Sequence, residues 1–195
     1  MWWRRPGSSR PGRSGGYILK GVDWPRFGRV TLKPFSAGLS EKEWQALWET
    51  FKDPEVAYWN GTSPLKTPLW LFKRMVQMDL RRKDRVAFGI LDEKGEWIGT
   101  VELYDLTPEE GTLGILIGKK DRWGKGYGTE AVRALLAHAF GPLGLKRVRL
   151  RTFAHNERAQ RAFKKAGFKE VGRLKARGTE DVVMEVERDS FSPET

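Results

Sequence analysis

The run DRWGKGYGTEA, residues 121 to 131, sets Gly124, Gly126 and Gly128 at alternate positions directly ahead of a stretch with helical periodicity. A glycine inside a regular element costs about 0.5–1 kcal/mol relative to alanine. Three together at an element boundary therefore imply that the backbone turns sharply there or that something approaches it closely. Upstream, GTLGILIG (111–118) reads as a strand. Downstream, GTEAVRALLAHAF (128–140) brings Ala131, Val132, Leu135, Leu136 and Ala139 to one helical face. Strand, glycine loop and amphipathic helix in that order confine the chain to folds that pack helices on a sheet.

The remaining elements fit that frame. GRVTLKPF (28–35) reads as a first strand, and SEKEWQALWETF (40–51) opens on a Ser40–Glu43 capping box. Thr67 as N-cap with Pro68 at the first helical position predicts a second helix over 67–80. RVAFGIL (85–91) and EWIGTVELYDL (96–106) are strands joined by the tight turn DEKGE, and with 111–118 they predict an antiparallel meander. LKRVRLRTF (145–153) alternates as a strand, NERAQRAFKKA (156–166) is a helix ended by Gly167, and two strands close the chain. The expected fold is α/β: a mixed, mostly antiparallel central sheet with one β-α-β crossover across 111–153.

At 195 residues, with 39% hydrophobic and 31% charged, the chain suits one globular domain. We expect that domain over 17–195, after a flexible basic arm at 1–16 too poor in apolar residues to build a core. No apolar run nears the roughly 20 residues that span a bilayer. Nor does the start carry the apolar stretch of a signal peptide, so the expected location is cytoplasmic, with no membrane partner. The absence of cysteine excludes disulfides, thiolate metal ligands and a cysteine nucleophile. A net charge of +11 favours an anionic ligand or partner.

An anion also explains the glycine loop. The first amides of a helix lack partners within it and carry the positive end of its dipole. Glycines let an anion touch those amides, and Arg122 and Lys125 add charge. A P-loop needs Gly-Lys-Ser/Thr, but Lys125 precedes Gly126. A dinucleotide loop needs Gly-x-Gly-x-x-Gly, and the spacing here is Gly-x-Gly-x-Gly. A tight strand-to-helix turn without ligand is the alternative.

WGKGYG (123–128) followed by NERAQRAFKKAGF (156–168) resembles the GNAT (GCN5-related) N-acetyltransferases, in particular the branch containing the ribosomal-protein N-terminal and polyamine acetyltransferases, and most of all its ribosomal-protein N-terminal acetyltransferase-like members. The family loop is Gln/Arg-x-x-Gly-x-Gly/Ala, with Trp123 here in the Gln/Arg place. The later motif Asn-x-x-Ala-x-x-x-Tyr-x-x-x-Gly-Phe is met at Asn156, Ala159, Gly167 and Phe168. The resemblance covers about residues 28 to 187 and implies acetyl-CoA as co-substrate, with no metal.

It further implies that the loop from Arg122 and Trp123 through Gly124, Lys125, Gly126, Tyr127 and Gly128 to Thr129 binds the pyrophosphate. A bulge near Leu116, Ile117 and Gly118 would hold the pantetheine arm and the thioester carbonyl. Asn156 is a pantetheine contact, a helix N-cap, or both. Phe163 stands where relatives place a proton-donating tyrosine, and is expected to pack in the core and touch the cofactor arm.

The general base is open. The position that often holds glutamate is Thr112; Glu102 or Asp105 could act through a water, or be solvated strand-end carboxylates. His138 and His155 are weaker candidates. A site without a strong base suits an α-amine, with pKa about 7.7–8.0, better than lysine at about 10.4.

The expected reaction is acetyl transfer to a primary amine, most specifically a protein N-terminal α-amine. A small amine such as a polyamine, aminoglycoside or amino acid is the alternative, for which Glu102, Asp105, Glu109 and Glu110 would form the acidic pocket. A non-catalytic CoA- or RNA-binding member of the fold is another, with Arg147, Arg149 and Arg151 as a nucleic-acid stripe. The oligomeric state stays open between monomer and homodimer.

Overall fold

A computed structural model describes residues 23–193 apart from Arg177. The arm expected at 1–16 lies outside the described residues. Eight strands form one sheet in the order β1-β2-β3-β4-β5-β6-β8-β7. They are β1 (Arg26–Phe27), β2 (Val30–Pro34), β3 (Val86–Leu91), β4 (Trp97–Tyr104), β5 (Glu110–Ile117), β6 (Arg147–Phe153), β7 (Lys169–Ala176) and β8 (Thr179–Glu187). The helices are α1 (Glu41–Lys52), α2 (Pro54–Asn60), α3 (Leu69–Asp79), α4 (Tyr127–Phe140) and α5 (Glu157–Lys165).

Alternation along the strands builds two cores. On one face Phe88, Val101, Leu103 and Val148 meet Val132, Leu135 and Leu136 of α4 and Phe163 of α5. On the other, Ala87 and Trp97 meet Trp44, Leu47 and Phe51 of α1 and Phe72 and Val76 of α3. Both faces of the sheet are thus covered by helices.

Local chemistry sets most boundaries. Ser40 and Glu43 form the expected capping box at α1. α2 is an element the sequence reading left out: Asp53 ends α1 and at once caps α2, accepting from the amides of Glu55 and Val56. An Asp-Pro pair just after a helix was the available signal. α3 starts at Leu69, with Pro68 as an extended N-cap (ψ 154°), one residue later than expected and with no side-chain cap.

All strand neighbours are antiparallel except β5 and β6. That parallel ladder covers Glu110↔Arg147, Gly111↔Val148 and Thr112↔Arg149 and then stops. Beyond it, β4 stays paired with β5 as far as Gly99↔Ile117, and β8 with β6 as far as Phe153↔Asp181. The sheet therefore splits between β5 and β6 toward the end where α4 begins.

Candidate acetyl-CoA site

A cleft of about 690 Å³ fills that split. Its floor is Leu113–Ile117 of β5 and Leu150–Phe153 of β6. The glycine loop and the inner side of α5 form one rim, and Val56, Trp59 and Asn60 of α2 form another.

α4, like α3, begins without a side-chain cap. α1, α2 and α5 are capped by the side chains of Ser40, Asp53 and Asn156, whereas the N-cap of α4 is Gly126, which offers no side-chain oxygen. Gly124 and Gly126 take φ of +71° and +90°, left-handed values that favour glycine. A Cβ on Gly128 would meet nothing within 4 Å. Uncapped amides, a positive helix end and bare backbone facing a cleft make a seat for an anion.

Leu116, Ile117, Arg122, Trp123, Gly124, Gly126, Gly128 and Thr129 line the cleft; from α5 and its cap so do Asn156 and Phe163. Gly118, Lys125 and Tyr127 do not. Gly118 packs on α1, where a side chain would strike the Thr50 hydroxyl. Tyr127 is buried, with its hydroxyl donating to Glu93 at 2.8 Å; that bond raises the phenol's pKa above its ordinary value. The carbonyl of Lys125 is taken by Arg29 at 2.7 Å.

Arg122 lines the cleft but is already engaged by carboxylates, at 3.1 Å from Asp92, 3.2 Å from Glu96 and 2.7 Å from Asp121. Burial pushes the Asp92 carboxyl upward, but the Glu96 amide, Arg122 and the Lys94 amide outweigh it and hold it below the ordinary range. Arg122 is thus a strut from the β3–β4 turn to the loop. The cations that sequence reasoning missed are Arg158, Arg161 and Lys165, spaced three and four apart on α5 and lining the cleft. Helical spacing made that face legible.

The expected bulge is present in shifted form. The amides of Gly118 and Lys119 both donate to the Ile98 carbonyl, at 2.9 and 3.1 Å, two residues against one just past the end of β5. Within the ladder the register from Thr112 to Ile117 is unbroken. Donors toward the cleft come from the split itself, where β5 has no β6 partner beyond Thr112.

The expected bases lie elsewhere. Glu102 is fully buried and ion-paired with Arg85, which also meets Asp79, all away from the cleft lining. Burial lowers the Arg85 pKa while Glu102 opposes it. Alternation on β4 turns Glu102 toward α3 rather than toward the opening. Asp105 follows β4 with φ +49° and does not line the cleft either. The acidic pocket of Glu102, Asp105, Glu109 and Glu110 does not form: none of the four lines the cleft, and Glu109 holds Lys146 at 2.7 Å.

His138 is buried in α4, edge-on to Phe88, and burial lowers its pKa. His155 stacks on Phe153 at 5.0 Å. Arg147, Arg149 and Arg151 do not form a bare cationic stripe, because Glu187, Glu185 and Asp181 of β8 meet them at 2.9, 2.7 and 3.3 Å.

A family model described as an acetyltransferase (GNAT) domain matches residues 29–169. The chain belongs to the GNAT acetyltransferase family. An uncharacterized N-acetyltransferase p20 of Bacillus licheniformis is 29% identical over 153 residues, 75% of this chain and 83% of that one. The human alpha/beta-tubulin-N-acetyltransferase 9 is 35% identical over 102 residues, 45% of this chain and 49% of that one. Spermidine N-acetyltransferase from Vibrio cholerae, solved with CoA and spermine, superposes with a TM-score of 0.73 at 18% identity, over 83% of this chain and 97% of that one.

The GNAT chain is therefore an acetyl-CoA-dependent N-acetyltransferase. Among the described residues no group of His, Cys, Asp or Glu is arranged to hold a metal ion, and no helix is long and apolar enough to cross a membrane.

Proposed function

We propose that the protein acetylates the N-terminal α-amine of a peptide or protein. The diphosphate of acetyl-CoA would rest on the amides at the start of α4, the pantetheine arm along β5 beside Asn156, and the thioester in the split near Phe163. The amine attacks the thioester carbonyl, and backbone donors of β5 beyond Thr112 receive the developing oxyanion, worth roughly 2.7–4 kcal/mol per donor. The C–S bond then breaks. Phe163 has no proton to give, and a thiol pKa near 8.5 makes the thiolate a competent leaving group unaided. The ammonium proton passes to solvent.

One observation carries the choice of acceptor. Among the described residues that line the cleft, Asp181 is the single carboxylate, and Arg151 already holds it at 3.3 Å. A polycation finds little to bind there. In contrast, the Asn60 side-chain nitrogen is shielded at the cleft without a hydrogen-bond partner. A shielded donor of that kind favours an acceptor with a carbonyl, which a peptide has and a polyamine lacks. The tubulin-N-acetyltransferase relative supports a protein acceptor. The likeness to a spermidine enzyme supports the second reading, a small amine.

The test is thiol release from acetyl-CoA with N-terminal peptides, spermidine, an aminoglycoside and free amino acids. Turnover on peptides with little on spermidine is expected. A kcat/KM for spermidine or the aminoglycoside above that of every peptide would overturn the peptide reading.

A further inference from the structure

We propose that Arg29, between β1 and β2, is a positioning residue for the loop that receives the cofactor diphosphate. The inference rests on the reading that the diphosphate docks at Gly124–Gly128. Arg29 lies 96 residues from Lys125 in sequence, yet one guanidinium nitrogen donates to the Lys125 carbonyl at 2.7 Å. It also holds Glu130, in the first turn of α4, at 2.6 Å, its Nε reaches the same carboxylate at 3.0 Å, and its backbone amide donates there at 3.0 Å. The guanidinium sits 3.9 Å above the Tyr127 ring, whose hydroxyl is fixed by Glu93. Gly28, at φ +55°, makes the approach possible, because a side chain there would strike the Glu130 carboxylate.

Two consequences follow for the loop. In a trans peptide the carbonyl and the next N–H point in opposite directions. Drawing the Lys125 carbonyl outward to Arg29 therefore turns the Gly126 amide inward, toward the cleft. Arg29 also cancels the charge of Glu130, a carboxylate at the helix end where the diphosphate would otherwise meet a like charge. The Arg29 side chain itself is absent from the cleft lining and acts through the loop backbone.

The experiment compares wild type, Arg29→Ala and Arg29→Lys with two donors that share one thioester: acetyl-CoA and acetyl-pantetheine, which lacks the diphosphate. Arg29→Ala is expected to raise the KM for acetyl-CoA about tenfold. Its kcat, and its kinetics with acetyl-pantetheine, should stay at the wild-type values. Arg29→Lys, which keeps the charge but not the fork, falls between. An equal loss with both donors means a merely structural role and overturns the proposal, as does no loss with either. Wild type that fails to prefer acetyl-CoA over acetyl-pantetheine refutes the docking reading beneath it.

Discussion

The indole Nε1 of Trp123 donates to the Ile117 carbonyl at 2.8 Å, tying the glycine loop back to the end of the strand that leads into it. The family pattern places glutamine or arginine here, and tryptophan brings one N–H donor of the kind those residues also carry. Its ring in turn supports Arg158, whose guanidinium stacks 4.1 Å above it. Trp123→Phe keeps an aromatic ring and removes the donor. The expected result is a threefold to tenfold rise in the KM for acetyl-CoA, roughly the value of one hydrogen bond, with the acceptor KM unchanged in steady-state kinetics.

Gly128 gives a cleaner test of the anion seat than its neighbours. Gly124 and Gly126 have positive φ, so any side chain there also strains the backbone. Gly128 has no such constraint and nothing within 4 Å of a Cβ. Gly128→Asp should therefore leave the melting temperature within about 2 °C of wild type. It should abolish acetyl-CoA binding by calorimetry, since it sets a carboxylate against the diphosphate. Retained binding would mean that the diphosphate lies elsewhere.

Glu102 separates stability from catalysis. Its carboxylate is fully buried on Arg85, so Glu102→Gln removes a negative charge that faces that buried guanidinium. Breaking a buried pair typically costs about 3–5 kcal/mol, or roughly 6–20 °C in Tm for a domain of this size. The kcat per folded molecule, measured below the transition, should not change. A large fall in kcat with Tm preserved would return Glu102 to the reaction.

His138 sets an acid limit on the fold. Burial lowers its pKa below the ordinary 6.5, so the folded protein holds it neutral while the unfolded chain takes a proton below about 6.5. Its contribution is fully present above that pH and is lost as the pH falls, by up to about 1.4 kcal/mol per unit. In urea titrations from pH 7.5 to 5.5, His138→Gln should lose less stability than wild type. Equal slopes would show that His138 does not set the limit.

What could be read from sequence was local. The Ser40–Glu43 box, the Asn156 cap and the meander β3–β4–β5 are each set by residues a few positions apart, and each is found where the spacing put it. What could not be read was register. Arg147, Arg149 and Arg151 look like a nucleic-acid stripe until β8 is laid beside them and its carboxylates pair with them. Glu102 looks like a strand-end acid until Arg85, seventeen residues away and itself held by Asp79, meets it in the interior. Arg29 gave no local signal, because its partners Lys125, Tyr127 and Glu130 are across the fold.

A sheet joined in its middle by three residue pairs is mechanically two leaves on one spine. β1–β5 form the first leaf and β6–β8 the second, and past Thr112 no ladder stops them from opening or closing like the covers of a book. Acetyl-CoA laid along β5 would act as the page that sets the angle between them.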